Sequence, residues 1–371
     1  MRVLFAGGGT GGHLYPGLAI ARALKRIDPS IEPFFVGAAR GIERNVLPSA
    51  GFPYELLDLH PLYRSRPWEN WKTLRGALSG WARLGRIIKA ERPACVVGTG
   101  GYASGIALAY ARMHGIPYVL QEQNSYPGLT TRLFSGRAAQ IHNGFPEAAN
   151  HLRAGKSTKV FDSGNPIEPP PAVGPDKAAA RRAWGFPAAG GRVMLVYGGS
   201  QGSKAMNDTV ADWVRRGIPD GLFLIWSTGQ GTHADYASLE TDRVKVRAYL
   251  SPVADAYAAV DFALSRGGAI ATAELCAWGI PPIVVPLPTA AADHQTANAR
   301  ALAAAGAAEL ITQRDLNVDS LSRAVEALLA DPDLLATRSA AVRERARPHA
   351  AEEIATRILE IIPAPALTGQ P

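Results

Sequence analysis

Three times along this chain a short apolar run ends in glycines that lead into a helical stretch. The turns are Gly7-Gly8-Gly9-Thr10-Gly11-Gly12-His13, Gly98-Thr99-Gly100-Gly101-Tyr102 and Gly198-Gly199-Ser200-Gln201-Gly202. A strand that turns directly into a helix must cross over before the next strand pairs, so the strands are parallel. Glycine lets backbone N–H groups come close to an anion, and the following helix N-terminus favours negative charge. Three such turns exceed what one mononucleotide needs. They predict two phosphorylated ligands, one for each half of the chain.

The alternation supports this. Strands are expected at Arg2–Ala6, Phe34–Val36, Tyr54–Leu59, Ala94–Val97, Tyr118–Gln121 and Gln140–Asn143, with helices such as Pro16–Ile27 and Tyr102–His114 between them. The Pro-rich stretch Gly164–Pro175 cannot join a sheet and reads as a linker. Strands then resume at Arg192–Tyr197, Leu222–Trp226, Val244–Tyr249, Phe262–Leu264 and Pro282–Pro286, with helices at Ser203–Arg215, Ala269–Trp278 and His294–Ala305. The expected class is α/β, with two doubly wound parallel-sheet domains facing a cleft. Ligands would sit at the carboxyl ends of the strands. The boundaries are 1–163, 164–340, a C-terminal helical segment at 341–362 and a flexible tail at 363–371.

Composition fits a folded protein. Of the 371 residues, 47% are hydrophobic and 19% charged, enough for two cores. Cys95 and Cys276 lack cysteine or histidine partners at metal-ligand spacing, which fits a reducing compartment and predicts no bound metal. The opening apolar run goes straight into glycines and reads as a strand rather than a signal peptide. No apolar stretch reaches the roughly 20 residues of a spanning helix. The net charge of +7 implies an anionic partner. No nucleic-acid module is recognisable.

Gly7, Gly9 and Gly12 also satisfy a dinucleotide pattern, but the second strand ends Phe35-Val36-Gly37-Ala38 without the carboxylate a nicotinamide site needs. In Ser265-Arg266-Gly267-Gly268-Ala269-Ile270-Ala271-Thr272-Ala273-Glu274 the glycines open a helix that can take a diphosphate. Glu274 lies roughly 7–8 Å further along the axis. One carboxylate there can accept hydrogen bonds from both ribose hydroxyls.

The strings GGTGGHLYPGLAIA (Gly8–Ala21), GTGGYASG (Gly98–Gly105), LQEQNSYPGLTTR (Leu120–Arg132), GGSQGS (Gly198–Ser203), SRGGAIATAEL (Ser265–Leu275) and DHQTANA (Asp293–Ala299) resemble the bacterial MurG glycosyltransferases, in order and across nearly the whole chain. The resemblance implies the GT-B fold, with the last helix crossing back to the first domain. It implies transfer of N-acetylglucosamine from UDP-N-acetylglucosamine to undecaprenyl-diphosphate-linked muramyl-pentapeptide (lipid I), forming lipid II. It brings Thr10, Gly11 and Gly12 to the donor from the first domain, Asn124 to the transferred sugar and Ser200 to the donor. Leu250 falls at uracil, with Ala269, Ile270, Ala271, Thr272, Ala273 and Glu274 around diphosphate and ribose, and Gln295 near the sugar hydroxyls. Gly100, Gly101 and Tyr102 are assigned to the acceptor diphosphate. Two positions depart from the family. Glu168 stands where an arginine usually helps bind donor, so that contact is lost or supplied elsewhere, with Arg266 the candidate, and Gln121 stands where a histidine is common.

The expected reaction is a single displacement with inversion and no protein-held metal. His13, at the helix N-terminus beside the first glycine turn, is the leading base, and Glu122 the second candidate. Between His60 and Arg92 basic residues outnumber acidic ones, with Tyr63, Trp68, Trp71 and Trp81 interleaved. Trp71, Leu74, Leu78, Trp81 and Ile88 read as a core-packing stripe. Arg75, Arg83, Arg86 and Lys89 are left to meet an anionic membrane surface. The expected location is the cytoplasmic face of the plasma membrane, with other cell-wall synthesis proteins as partners. Competing readings are a non-catalytic sugar-nucleotide binder, a diacylglycerol-directed transferase and a UDP-sugar epimerase.

Overall fold

The computed structural model describes residues 1–60, 68, 70–199 and 201–362. Ser200, the segment 61–67 with Tyr63, and the tail 363–371 lie outside the described residues. The chain divides into two compact units: residues 1–167 with the C-terminal segment from His349, and Glu168–Pro348.

Unit 1 opens with β1 (Arg2–Gly7), α1 (Gly11–Ile27), β2 (Glu32–Ala38), α2 (Glu43–Val46), β3 (Tyr54–Leu57) and α3 (Asn70–Glu91). It continues with β4 (Cys95–Gly100), α4 (Gly101–Met113), β5 (Tyr118–Glu122), α5 (Leu129–Phe134), β6 (Gln140–Asn143) and β7 (Lys159–Phe161). The strands form a parallel sheet in the order β3-β2-β1-β4-β5-β6-β7. β1 is apolar on both faces because helices cover both sides of a parallel sheet. The order reverses between β1 and β4, which puts the first two glycine turns side by side.

Unit 2 contains α6 (Lys177–Ala183), β8 (Arg192–Tyr197), α7 (Lys204–Arg216), β9 (Leu222–Ser227), α8 (His233–Tyr236), β10 (Val244–Arg247) and α9 (Ala254–Ala259). There follow β11 (Phe262–Ser265), α10 (Ala269–Trp278), β12 (Pro282–Val284), α11 (His294–Ala304), β13 (Glu309–Leu310), α12 (Val318–Ala330) and α13 (Pro332–Glu344). Its parallel sheet runs β10-β9-β8-β11-β12-β13, with the reversal between β8 and β11. The final helix, α14 (Ala350–Leu359), packs in unit 1. Its Ala351, Ile354, Ala355 and Ile358 join Leu14, Leu18, Ala21 and Leu24 of α1 in one buried cluster. It is held on β6 and β7 by Gln140 Nε2, which donates to the Arg357 carbonyl at 2.8 Å, and by the Arg357 guanidinium, 4.0 Å over the Phe161 ring.

Several features differ from the sequence reading. α1 starts at Gly11, not Pro16, so Gly11, Gly12 and His13 form its first turn and Pro16 lies inside the helix. β7 and β13, too short for any alternation to show, exist only by pairing at sheet edges. Gly164–Ile167 is buried rather than a loose linker, because the Asn165 amide is tied to the end of β5. The expected stripe on α3 splits. Trp81 and Ile88 pack on the core with Leu84, whereas Trp71 and Leu78 are 58% and 67% exposed. Seven residues nearly complete two helical turns, so Trp71 and Leu78 share a line, while Leu84 points about 120° away. Nothing is described of the Leu74 side chain. No described helix is long and apolar enough to cross a membrane.

Candidate functional site

In unit 1 the turns after β1 and β4 meet. Gly100 and Gly101 have φ of +102° and +79°. A Cβ on Gly100 would come 2.6 Å from the His13 ring, and one on Gly101 would strike the Gly8 carbonyl. Only glycine fits there on both counts. Thr10 caps α1 with extended backbone, but its hydroxyl lies 3.2 Å from His13 Nδ1 instead of capping the helix. His13 Nδ1 is also 3.2 Å from the Gly8 carbonyl oxygen. In the tautomer that satisfies the carbonyl, which can only accept, Nδ1 carries the proton and Nε2 the lone pair. Thr99 Oγ1 donates to the His13 carbonyl at 2.7 Å, and Tyr102 lies against Gly9. The Gly9 N–H is not open to a phosphate. It donates to Glu43 Oε1 at 3.0 Å.

The loop after β5 is organised by Glu122. Its Oε1 accepts from the backbone N–H and side-chain amide of Asn124, at 3.1 and 3.3 Å. Its Oε2 accepts from the Gly128 N–H at 3.0 Å and the Thr131 hydroxyl at 2.5 Å. Both oxygens of this 3%-exposed carboxylate are engaged. Gln121 is 1% exposed, and its amide bonds to Asn165 and Gln123. It is a buried brace, not a substitute base.

In unit 2 the turns after β8 and β11 converge on Arg266. Its NH1 donates to the Val285 and Pro286 carbonyls, both at 3.1 Å. Its NH2 donates to Ser203 Oγ at 2.6 Å and Gln313 Oε1 at 2.7 Å. Every acceptor is neutral, and among the described residues no carboxylate pairs with this 9%-exposed cation. Burial lowers its pKa. Beside it α10 begins at Gly268 with no capping side chain and no acid in its first turn. That end of the helix is electropositive. The fold therefore presents a fixed cation and a helix N-terminus at the carboxyl end of β11, which suits a diphosphate.

Within α10, Thr272 turns inward and bonds its own helix, donating to the Gly268 carbonyl at 3.0 Å. Glu274 accepts from the Tyr257 hydroxyl at 2.9 Å. Burial raises the Glu274 pKa, and the nearby Glu168 charge adds to this, against the opposing Tyr257 bond. Burial likewise pushes Tyr257 and Tyr197 up. Leu250 packs in the same cluster as Tyr257, just past β10. Gln295 Oε1 accepts from the Leu287 N–H at 2.9 Å, and Asn298 holds the Gly267 carbonyl at 3.0 Å. Thus Arg266, Ala269–Glu274 and Gln295 gather in unit 2, while Thr10–His13, Gly100–Tyr102, Glu122 and Asn124 gather in unit 1. Glu43 was missed. It reads in sequence as an exposed acid on a short helix, and the only hint is its flanking Gly37 and Gly41.

Two doubly wound parallel sheets with glycine turns at their central strand ends are the GT-B architecture. Residues 3–143 match the glycosyltransferase family 28 N-terminal domain and residues 193–354 the C-terminal domain of that family. The chain is similar to the UDP-N-acetylglucosamine–N-acetylmuramyl-(pentapeptide) pyrophosphoryl-undecaprenol N-acetylglucosamine transferase of Chlorobium luteolum. That relative is 39% identical, over 97% of this chain and 99% of its own. The protein of the same name from Prosthecochloris aestuarii is 37% identical over 96% and 98%. Among solved structures, MurG of Acinetobacter baumannii superposes with a TM-score of 0.76 at 25% identity, over 97% of this chain and 99% of that one. The chain belongs to the MurG family of glycosyltransferases.

Proposed function

We propose that this chain transfers N-acetylglucosamine from UDP-N-acetylglucosamine to the muramyl sugar of undecaprenyl-diphosphate-linked muramyl-pentapeptide, converting lipid I to lipid II. The observation that carries the donor half is the grouping of Arg266, the α10 N-terminus and Glu274 in unit 2. Uracil is read by backbone near Leu250, the ribose hydroxyls by Glu274, and the diphosphate by α10 and Arg266. As the anomeric C–O bond breaks, its electron pair leaves on UDP, and the buried guanidinium and helix dipole meet the growing charge. The acceptor hydroxyl attacks the opposite face and gives its proton to His13 Nε2, so the configuration inverts. Glu122 shapes the Asn124 loop instead of taking a proton, since four donors already occupy it.

The proposal includes peripheral attachment to the cytoplasmic face of the membrane. Exposed Trp68, Trp71 and Leu78 share α3 and its approach with exposed Arg75, Arg86 and Lys89. Apolar side chains enter the lipid while each nearby cation adds about 1 kcal/mol on an anionic surface. The test of the reaction is transfer of labelled N-acetylglucosamine onto lipid I by the purified chain. Transfer is expected, and His13→Ala should lower turnover by about 10²–10⁴-fold with UDP binding intact. No transfer by the wild type refutes the function. Full turnover by His13→Ala refutes the base. Flotation with anionic vesicles should weaken with salt and in a Trp71→Ser/Leu78→Ser variant; binding to neutral vesicles alone would refute the attachment.

A further inference from the structure

Glu43 is a fully buried carboxylate with no cationic partner among the described residues. It sits at the start of α2, between the carboxyl ends of β1 and β2. Its Oε1 accepts the Gly9 and Ala38 N–H groups, both at 3.0 Å, while Oε2 has no hydrogen-bond partner. Three glycines make room for it. A Cβ on Gly8 or Gly41 would overlap a carboxylate oxygen, and one on Gly37 would lie 2.8 Å from Cγ. Burying a lone carboxylate in a socket of glycines is expensive for the fold, so the arrangement needs a reason beyond packing.

The reason lies in the peptide it holds. The Gly9 N–H and the Gly8 C=O belong to one planar group and point in opposite directions. Glu43 holds the N–H side, and His13 Nδ1 holds the C=O side at 3.2 Å. A carboxylate on the N–H polarises the peptide and makes its carbonyl a stronger acceptor. A stronger acceptor fixes the Nδ1–H tautomer and raises the basicity of Nε2. We propose that Glu43 is a positioning residue that orients and biases His13 through the Gly8–Gly9 peptide. The Thr10 hydroxyl, also 3.2 Å from Nδ1, carries no charge. This rests on reading His13 as the base.

The experiment compares wild type, Glu43→Gln, Glu43→Ala, His13→Ala and the double variant Glu43→Gln/His13→Ala. The unit 1 melting transition serves as the folding control. Glu43→Gln keeps the shape and an acceptor oxygen but removes the charge. Its kcat should fall about tenfold with donor KM unchanged, and the acid limb of its kcat–pH profile should move to lower pH. An NMR titration of the His13 ring, assigned with His13→Ala, should move the same way. Glu43→Ala should lose about 10²-fold in kcat. Glu43→Gln should add nothing in the His13→Ala background, because both act on one proton. A Glu43→Gln protein with wild-type kcat and an unmoved His13 titration overturns the inference and leaves the base standing. Independent, multiplying losses in the double variant also overturn it. An active His13→Ala overturns both.

Discussion

The two units carry the same device, glycines where a parallel strand becomes a helix, and back it with opposite charge. In unit 1 the turn is braced by Glu43, a buried anion that takes up the Gly9 N–H. In unit 2 the turns close on Arg266, a buried cation bonded, among the described residues, to neutral oxygens. A buried charge without a counter-charge is unfavourable by several kcal/mol. Each therefore has meaning only with what it serves. The anion backs a proton acceptor, and the cation stands ready for a diphosphate. Similar glycine strings thus do not imply similar ligands, and three turns are not three vacant phosphate cradles.

The strongest way to break this contrast is Arg266→Met. Isothermal titration should show UDP affinity lower by about tenfold to a hundredfold, the worth of charge-assisted hydrogen bonds. Glu43→Ala should bind UDP as the wild type does. Normal UDP binding by Arg266→Met would remove the electrostatic difference between the units.

Next in size is Glu274→Gln, which should weaken UDP about tenfold and 2′,3′-dideoxy-UDP hardly at all. Above its raised pKa the carboxylate accepts both ribose hydroxyls; below it, a proton occupies one oxygen. Wild-type affinity for UDP should therefore weaken as pH falls through that value, and the Gln variant should lack that step. Equal losses for both nucleotides would take Glu274 off the ribose.

A third test separates the units by acid stability. His142 in unit 1 bonds Ser163 Oγ at 2.9 Å and Gln140 Oε1 at 3.2 Å. Burial first, then Arg357, lowers its pKa to about 3. Unfolded histidine titrates near 6.5. Between these values the unfolded chain holds a proton the folded one does not, so stability falls as pH drops from about 6.5 to about 3. The acid-side decline of the unit 1 melting transition should be shallower in His142→Phe. An identical slope would show that His142 does not set it.

The smallest effect belongs to Glu168→Gln. Glu168 is exposed and raises the Glu274 pKa. Its neutralisation should strengthen UDP binding less than about threefold and shift the acid fall-off to lower pH. A weaker affinity would mean that Glu168 itself touches the donor.

Much of this was legible. Apolar runs such as Val3–Ala6 and Val193–Val196, each followed by glycines, identify buried parallel strands, and the restart near Arg192 identifies a second unit. The Ser265–Glu274 string exposes a diphosphate-to-carboxylate spacing because both ends lie on one helix. Glu43 was not legible, since its partner Gly9 is 34 residues away and only the β1–β2 pairing joins them. Glu122 looked like a base because a sequence shows the acid but not its donors. Pro16 hid the true start of α1, and on α3 a run of apolar residues could not reveal which face the neighbouring sheet covers.

The placement of α14 has a consequence for biogenesis. Residues 168–348 are an insertion in the first unit, whose apolar face on α1 is covered by Ala351, Ile354, Ala355 and Ile358. On the ribosome the second unit can collapse as a continuous piece, while the first waits with a greasy seam open until the chain's last helix emerges. The half of the molecule made earliest is thus the half finished last, and a chain released before residue 350 would be clipped or aggregate through that seam.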